Sequence, residues 1–246
     1  MTDLADLVRP DSGQSAHLVH LVDSTSHDGW LGSQPEHCRV ALAAQGFRPK
    51  AGAWAMLPGA TAQDWAVVAA VKSVDALGPW CLAWLAEHLP EGCYRLTKAT
   101  TDAAPLGWML AQHRFERYLG ETSQSGARVL LTSQPAQIDM TVAQARATAL
   151  VRDMVNTPTS DMGPGEIEAV VRAMAERFDA RIKVTRGDGL ETGYPMIHAV
   201  GRAADRANAP RLIELVWGSE DHPHIALVGK GVSFSSGGLD TKPASG

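Results

Sequence analysis

The chain has 246 residues, of which 45% are hydrophobic and 20% are charged. This composition is typical of a folded globular protein with one large domain or two modest ones. The formal net charge of −5 and the sequence pI near 6.0 argue against a protein that binds nucleic acid or an anionic membrane surface. The three cysteines, Cys38, Cys81 and Cys93, show no CxxC spacing, which argues against a disulfide framework and a thiolate metal site.

The pattern at the start of the sequence predicts no targeting signal. Residues 1–6 are acidic and are not followed by the basic and apolar segments of a signal peptide. The most apolar windows, 67–71 and 77–85, are shorter than the roughly 20 residues that cross a bilayer. We therefore predict a cytoplasmic protein without a nucleic-acid or membrane partner.

The first half of the chain alternates predicted strands with predicted helices. Apolar runs at 17–22, 65–71, 93–96 and 128–132 indicate strands. Helical spacing predicts one helix over 77–88, ended by Pro90, and a second over 106–119, with Gly120 as its C-cap. This alternation predicts an N-terminal α/β domain with a mixed, largely parallel sheet.

The second half begins with a long helix. The pattern predicts helices over 141–156 and from Pro164 to about Phe178, with Pro164 and Glu166 in the first turn of the second helix. It also predicts strands at 181–185, 212–217 and 225–228, and a short apolar run at 196–200. The predicted division is an N-terminal α/β domain over 1–140, a connecting helix and linker over 141–159, and a second α/β unit over 160–246.

The most informative segment is the last one, residues 225–246. A predicted strand runs into a glycine-rich turn that contains Lys230 and Lys242, and ligands bind at the carboxyl ends of strands in open α/β sheets. The paired glycines, Gly237 and Gly238, permit a close approach of the backbone to a ligand. The spacing does not match a phosphate-binding P-loop, a dinucleotide fingerprint or a nucleophile elbow.

The segment Gly229–Pro243, GKGVSFSSGGLDTKP, resembles the first active-site segment of the leucyl (cytosol) aminopeptidases, G-K-G-[IV]-x-F-D-[ST]-G-G-x-x-x-K. Residues 151–163, VRDMVNTPTSDMG, are similar to the R-[DE]-[LM]-x-N-x-P segment of the same family. Residues 194–202 and 211–218 also fit its pattern. The resemblance is collinear from about residue 146 to residue 246, and residues 108–118 fit it more weakly. It implies that residues 160–246 are the N-terminal part of a peptidase catalytic domain.

The resemblance implies a hexameric exopeptidase that removes N-terminal residues from peptides with two divalent metal ions, Mn or Zn. By resemblance, Lys230 is a metal ligand in its neutral amine form, and Lys242 is a catalytic residue that stabilises negative charge on the carbonyl oxygen. Ser235 stands where the family has a metal-bridging aspartate, so this ligand is expected to be lost. Asp240 lies on a different part of the turn and is not expected to replace it.

The family's remaining metal ligands, including those of an N-T-D-A-E-G-R segment, have no match before Gly246. We therefore expect a truncated catalytic domain, and a chain that does not hydrolyse peptides alone. The alternative is a non-catalytic, degenerate homologue that acts as a subunit or scaffold, and Ser235 favours it. A third interpretation, a nucleotide-binding α/β protein, is supported by the glycines alone. His222 and His224 are expected in a polar loop rather than in a metal pair.

Overall fold

The computed structural model describes residues 3–61, 63–98, 100–120 and 126–233. The chain divides into two units, Met1–Asp153 and Met154–Gly246.

The N-terminal unit is built on a six-stranded mixed sheet. Its strands are β1 (Val8–Pro10), β2 (His17–Val22), β3 (Trp54–Pro58), β4 (Trp65–Ala70), β5 (Gly92–Leu96) and β6 (Arg128–Thr132). Their order across the sheet is β1-β6-β5-β2-β4-β3. Every neighbouring pair is parallel except β3 and β4, which are antiparallel. The predicted α/β class with a mixed, largely parallel sheet is confirmed.

Five helices accompany this sheet: α1 (His27–Gly32), α2 (Glu36–Ala44), α3 (Ala83–His88), α4 (Ala104–Ala111) and α5 (Ile138–Asn156). Single turns of 3₁₀ helix lie at Leu4–Leu7 and Pro135–Gln137. None of the helices in the described part of the chain could span a bilayer.

The core of this unit lies on both faces of the sheet. Val67 belongs to one hydrophobic cluster, together with Tyr94 and Trp108, whereas Val68 belongs to another, together with Leu42 of α2. Successive side chains of a strand point to opposite faces, so the two clusters cover the two sides. This explains why β4 is a continuous apolar run, as expected for a strand that is buried on both faces.

The C-terminal unit has a smaller sheet. Its strands β7 (Arg181–Thr185) and β8 (Leu212–Val216) form an antiparallel pair, and its helices are α6 (Pro164–Arg177), α7 (Gly187–Gly193) and α8 (Pro195–Gly201). Helix α6 begins as predicted, with Pro164 in its first turn and the Glu166 side chain accepting a hydrogen bond from the Gly163 N–H at 3.0 Å. The apolar run at 196–200 lies within α8.

Two predicted helices of the first half are shorter than expected. Helix α3 begins at Ala83 rather than residue 77, because Pro79 lacks an N–H and restricts Gly78 before it. Helix α4 ends at Ala111 rather than residue 119. The Gln112 side chain instead bonds the backbone N–H and carbonyl of Arg128 at 3.0 and 2.9 Å. The C-cap predicted at Gly120 is therefore wrong.

The predicted strand at 225–228 is not found. Residues 221–233 form no regular secondary structure, and Ile225, Leu227 and Val228 are at least 87% exposed. A strand is stable when its backbone groups pair with a neighbour. In the described part of the chain, the second sheet consists of β7 and β8, and neither pairs with this segment.

The outer edge of β3 is covered by a side chain. The Gln45 Nε2 donates to the Met56 carbonyl oxygen at 2.8 Å, and the Met56 N–H donates to the Gln45 Oε1 at 3.0 Å. The strand then ends at Pro58, which has no N–H. An edge strand with free backbone groups is a template for another strand, and Gln45 occupies these groups of Met56.

We expect Gln45→Ala to increase self-association of the chain, because it frees the Met56 edge groups. The free energy of unfolding should fall by only about 1 kcal/mol. Sedimentation velocity over a range of protein concentrations measures the association. Gln34→Ala is the matched control, since the Gln34 amide donates to the Trp30 carbonyl near the end of α1 rather than to a strand. Equal sedimentation of both variants would show that Gln45 does not protect the edge.

Candidate functional site

The predicted site lies in the segment that follows β8. Lys230 is exposed there, in a stretch without regular secondary structure. A Cβ added at Gly229 or Gly231 would meet no heavy atom within 4 Å, so nothing described packs against either glycine. Ser235, Asp240 and Lys242 lie outside the described residues. Lys230 therefore has a described position, whereas Ser235 and Lys242, the other two predicted site residues, do not.

In the part of the chain that the structure describes, the donor groups do not fit a centre of two divalent metal ions. Across residues 3–61, 63–98, 100–120 and 126–233, no three His, Cys, Asp or Glu side chains are grouped so that they could hold a metal ion. His222 and His224 lie in an exposed loop, where a ring nitrogen of His224 is 3.3 Å from the Glu220 carbonyl oxygen. Hard divalent cations prefer carboxylate oxygens, and Lys230 with Ser235 offers an amine and a neutral hydroxyl.

The strongest charge cluster in the described residues lies around Glu168 of α6. Its carboxylate is buried, with a side-chain exposure of 5%. Oε1 accepts from the Arg172 Nε at 2.8 Å, and Oε2 accepts from the Arg211 Nη1 at 2.9 Å and from the Arg186 Nη2. The carboxylate thus joins α6, the residue before α7 and the residue before β8.

Burial of the Glu168 carboxyl would by itself raise its pKa. The hydrogen bonds from Arg172, Arg186 and Arg211 outweigh burial and lower the pKa to about 2. Glu168 is therefore a permanent anion at neutral pH, and it is unsuited to general acid–base chemistry, which needs a pKa near the working pH.

The N-terminal unit contains an open groove of about 900 Å³ over the amino-terminal ends of β2 and β4. His17 stacks on Trp65 in this groove, with ring centroids 3.7 Å apart. The Nδ1 of His20 accepts from the Trp30 Nε1 at 3.4 Å, and burial lowers the pKa of His20. Both rings are thus held by neighbouring aromatic residues of the fold.

A second buried carboxylate, Asp23, follows β2. It accepts hydrogen bonds from the backbone and hydroxyl groups of Thr25 and Ser26, and from the Val74 N–H at 2.9 Å. The bond from the Val74 N–H makes the largest contribution. Together these bonds hold the pKa of the Asp23 carboxyl well below its usual range. Because Asp23 is buried and accepts these hydrogen bonds, it joins the turn after β2 to the loop after β4.

Sequence reasoning missed the Glu168 cluster. The spacing of Glu168 and Arg172 on a helix indicates an ion pair. Nothing in the local sequence places Arg186 and Arg211 beside them, because these contacts depend on how α6 meets the β7–β8 sheet.

Comparison with known proteins relates both units to one family. The profile of the M17 aminopeptidase N-terminal domain matches residues 18–132. The profile of the catalytic domain of the cytosol aminopeptidase family matches residues 149–246. The chain belongs to the cytosol aminopeptidase (M17) family. The catalytic-domain match includes the Gly229–Lys242 segment, which resembles the first active-site segment of this family.

Relatives in this family are substantially longer. A probable cytosol aminopeptidase of Roseiflexus castenholzii is 39% identical over 174 residues, which cover 65% of this chain and 34% of that protein. The crystal structure of the cytosol aminopeptidase from Coxiella burnetii matches with a TM-score of 0.76 at 28% identity, over 89% of this chain and 48% of that one. The bottromycin maturation enzyme BotP, in complex with Mn, shares the fold, with a TM-score of 0.62 at 22% identity over 84% of this chain and 46% of that one. The chain thus spans about a third of that curated relative's length and about half of these solved structures.

Proposed function

We propose that this chain contributes the N-terminal domain and the first active-site segment of a metal-dependent aminopeptidase of the leucyl type, which removes N-terminal residues from peptides. The observation that carries the proposal is the GKGVSFSSGGLDTK segment inside the region matched by the catalytic-domain profile. In this proposal Lys230 is a metal ligand, and Lys242 is the cation that stabilises developing negative charge on the substrate carbonyl.

Ser235 limits what these residues can do. A carboxylate supplies charge and two oxygens to a divalent cation, whereas a hydroxyl supplies one neutral oxygen. Removing even a residue that only orients a metal ligand costs about 10–100-fold in affinity or activity. Because Ser235 would leave the metal centre without this carboxylate, we propose that the 246 residues alone do not hydrolyse peptides.

The same residue supports a second candidate, a non-catalytic homologue that acts as a subunit or scaffold. The N-terminal unit has its own six-stranded sheet with a hydrophobic cluster on each face, and neither depends on Ser235. Loss of the metal-ligand carboxylate would leave such a role intact. The hexameric assembly, the use of Mn or Zn and the cytoplasmic location are proposals that rest on the resemblance to the family.

An assay of leucine p-nitroanilide hydrolysis with added Mn²⁺ tests the proposal on two proteins. One is the 246-residue chain, and the other is the product of the longest open reading frame that contains it. We expect the 246-residue chain to release no p-nitroaniline. Release of p-nitroaniline by the longer product, with a lower rate in its Lys242→Met variant, would support the enzyme. A folded longer product that is inactive, but gains activity in Ser235→Asp, would support the scaffold. Hydrolysis by the 246-residue chain that depends on Lys230 would contradict our account of Ser235.

A further inference from the structure

The cluster around Glu168 contains more positive than negative charge. Three guanidinium groups, those of Arg172, Arg186 and Arg211, contact the one carboxylate. Among the described residues, Glu168 is the one carboxylate that lies within ion-pair distance of these three guanidinium groups. The cluster therefore keeps an excess of positive charge, which counter-ions in the solvent or a bound anion must balance.

All three guanidinium nitrogens of Arg211 donate hydrogen bonds within the fold. Its side chain is 8% exposed, and its Nη1 donates to Glu168 Oε2. Its Nε donates to the Ala209 carbonyl, and its Nη2 donates to the carbonyls of Ala207 and Ala209. The buried pair of Arg211 and Glu168 is thus a fixed base for the two remaining arginines.

Arg172 and Arg186 each donate a hydrogen bond to Glu168 through one guanidinium nitrogen. Their side chains are 54% and 51% exposed. Arg172 donates through Nε and Arg186 through Nη2, each to a different oxygen of Glu168. In the described part of the chain, the two terminal nitrogens of Arg172 have no hydrogen-bond acceptor. The Nε and Nη1 of Arg186 have none either.

We propose that Arg172 and Arg186 form a binding site for a small oxyanion, a phosphate or a carboxylate, on the solvent side of Glu168. A guanidinium group presents several N–H donors in a planar fork that matches these anions. Both forks are anchored to the same carboxylate, so the protein has already restricted their positions before an anion binds. The anion would add hydrogen bonds and relieve the repulsion between the two cations.

The site contains no residue of the Gly229–Lys242 segment and does not depend on the proposed peptidase function. It needs no metal ion and no residue outside the described part of the chain. The alternative is that the two guanidinium groups are simply hydrated, as many exposed arginines are. That alternative predicts a weak response that depends on ionic strength and not on the identity of the anion.

An NMR titration that follows the arginine Nε–Hε signals tests the proposal. The protein is titrated with sodium phosphate and separately with sodium acetate, against sodium chloride at matched ionic strength. We expect saturable shifts for Arg172 and Arg186 with at least one oxyanion, and none with chloride. Saturation by phosphate alone would identify a tetrahedral anion, whereas saturation by acetate would identify a carboxylate.

Variants decide whether the two arginines form the site. Arg186→Gln should weaken binding about tenfold, as expected from the loss of roughly one charge-assisted hydrogen bond. Arg186→Lys keeps the charge and tests the fork if the glutamine variant does not fold. Arg202→Gln is the control, since Arg202 is an exposed arginine of the same unit, beside α8. Shifts that do not saturate, that chloride reproduces, or that Arg186→Gln and Arg186→Lys leave unchanged would overturn the proposal.

Discussion

Replacing Trp108 by alanine is expected to destabilise the N-terminal unit by about 3–5 kcal/mol. The indole of Trp108 is fully buried in the larger hydrophobic cluster. Its ring lies 5.8 Å from that of Tyr94, and its Nε1 donates to the Arg128 carbonyl at 2.8 Å. Alanine removes this contact area and leaves a cavity between α4 and the sheet. The Arg128 carbonyl keeps its bond from Gln112, so the loss should come mainly from packing.

Urea denaturation followed by circular dichroism measures this loss. Trp84→Ala is the matched control, because Trp84 is 50% exposed and should cost less than about 1 kcal/mol. Trp108→Phe should fall between the two, since it keeps an aromatic ring in the core. If Trp108→Ala and Trp84→Ala lost the same free energy of unfolding, the assignment of Trp108 to the core would be wrong.

Replacing Glu168 by alanine is expected to destabilise the C-terminal unit by about 2–4 kcal/mol. The substitution leaves three arginines without their shared partner, and Arg211 is too buried for water to solvate it fully. Glu176→Ala on the same helix is the control. Glu176 is exposed, and its loss should change the free energy of unfolding by less than about 0.5 kcal/mol.

The same carboxylate should make the C-terminal unit sensitive to acid. The pKa of Glu168 in the folded chain is about 2, below its ordinary value of 4.5. The stabilisation is therefore complete above about pH 4.5 and is lost as the pH falls towards 2. Denaturation at several pH values should show this loss in the wild type and a smaller one in Glu168→Gln. An equal dependence on pH in both proteins would mean that Glu168 does not carry the effect.

The regular elements were predictable where a local pattern decides them. The residues of β2 and β6 are mostly apolar, and those of β7 alternate apolar with polar side chains. Pro164 with Glu166 marks the start of α6. The end of α4 was missed because a tertiary contact of Gln112 with Arg128 replaces the last turns. The segment at 225–228 has the apolar sequence of a strand but no described neighbour with which to pair. Pairing partners are a property of the whole fold, which local sequence does not contain.

The candidate site could be predicted only in part from the sequence. The family assignment followed from the glycines and lysines of the terminal segment, because that motif is specific. The roles of Lys230, Ser235 and Lys242 stay predictions, since two of the three lie outside the described residues. The Glu168 cluster joins residues that are far apart in sequence, so only its pair on α6 could have been anticipated.

We propose that Ser235 leaves this chain without a working metal centre. Calorimetric titration of the 246-residue chain with Mn²⁺, repeated with Zn²⁺, tests this proposal. We predict no site with a dissociation constant near or below about 1 μM, which corresponds to roughly −8 kcal/mol. A site of that affinity, lost in Lys230→Met and in Asp240→Asn, would contradict the account.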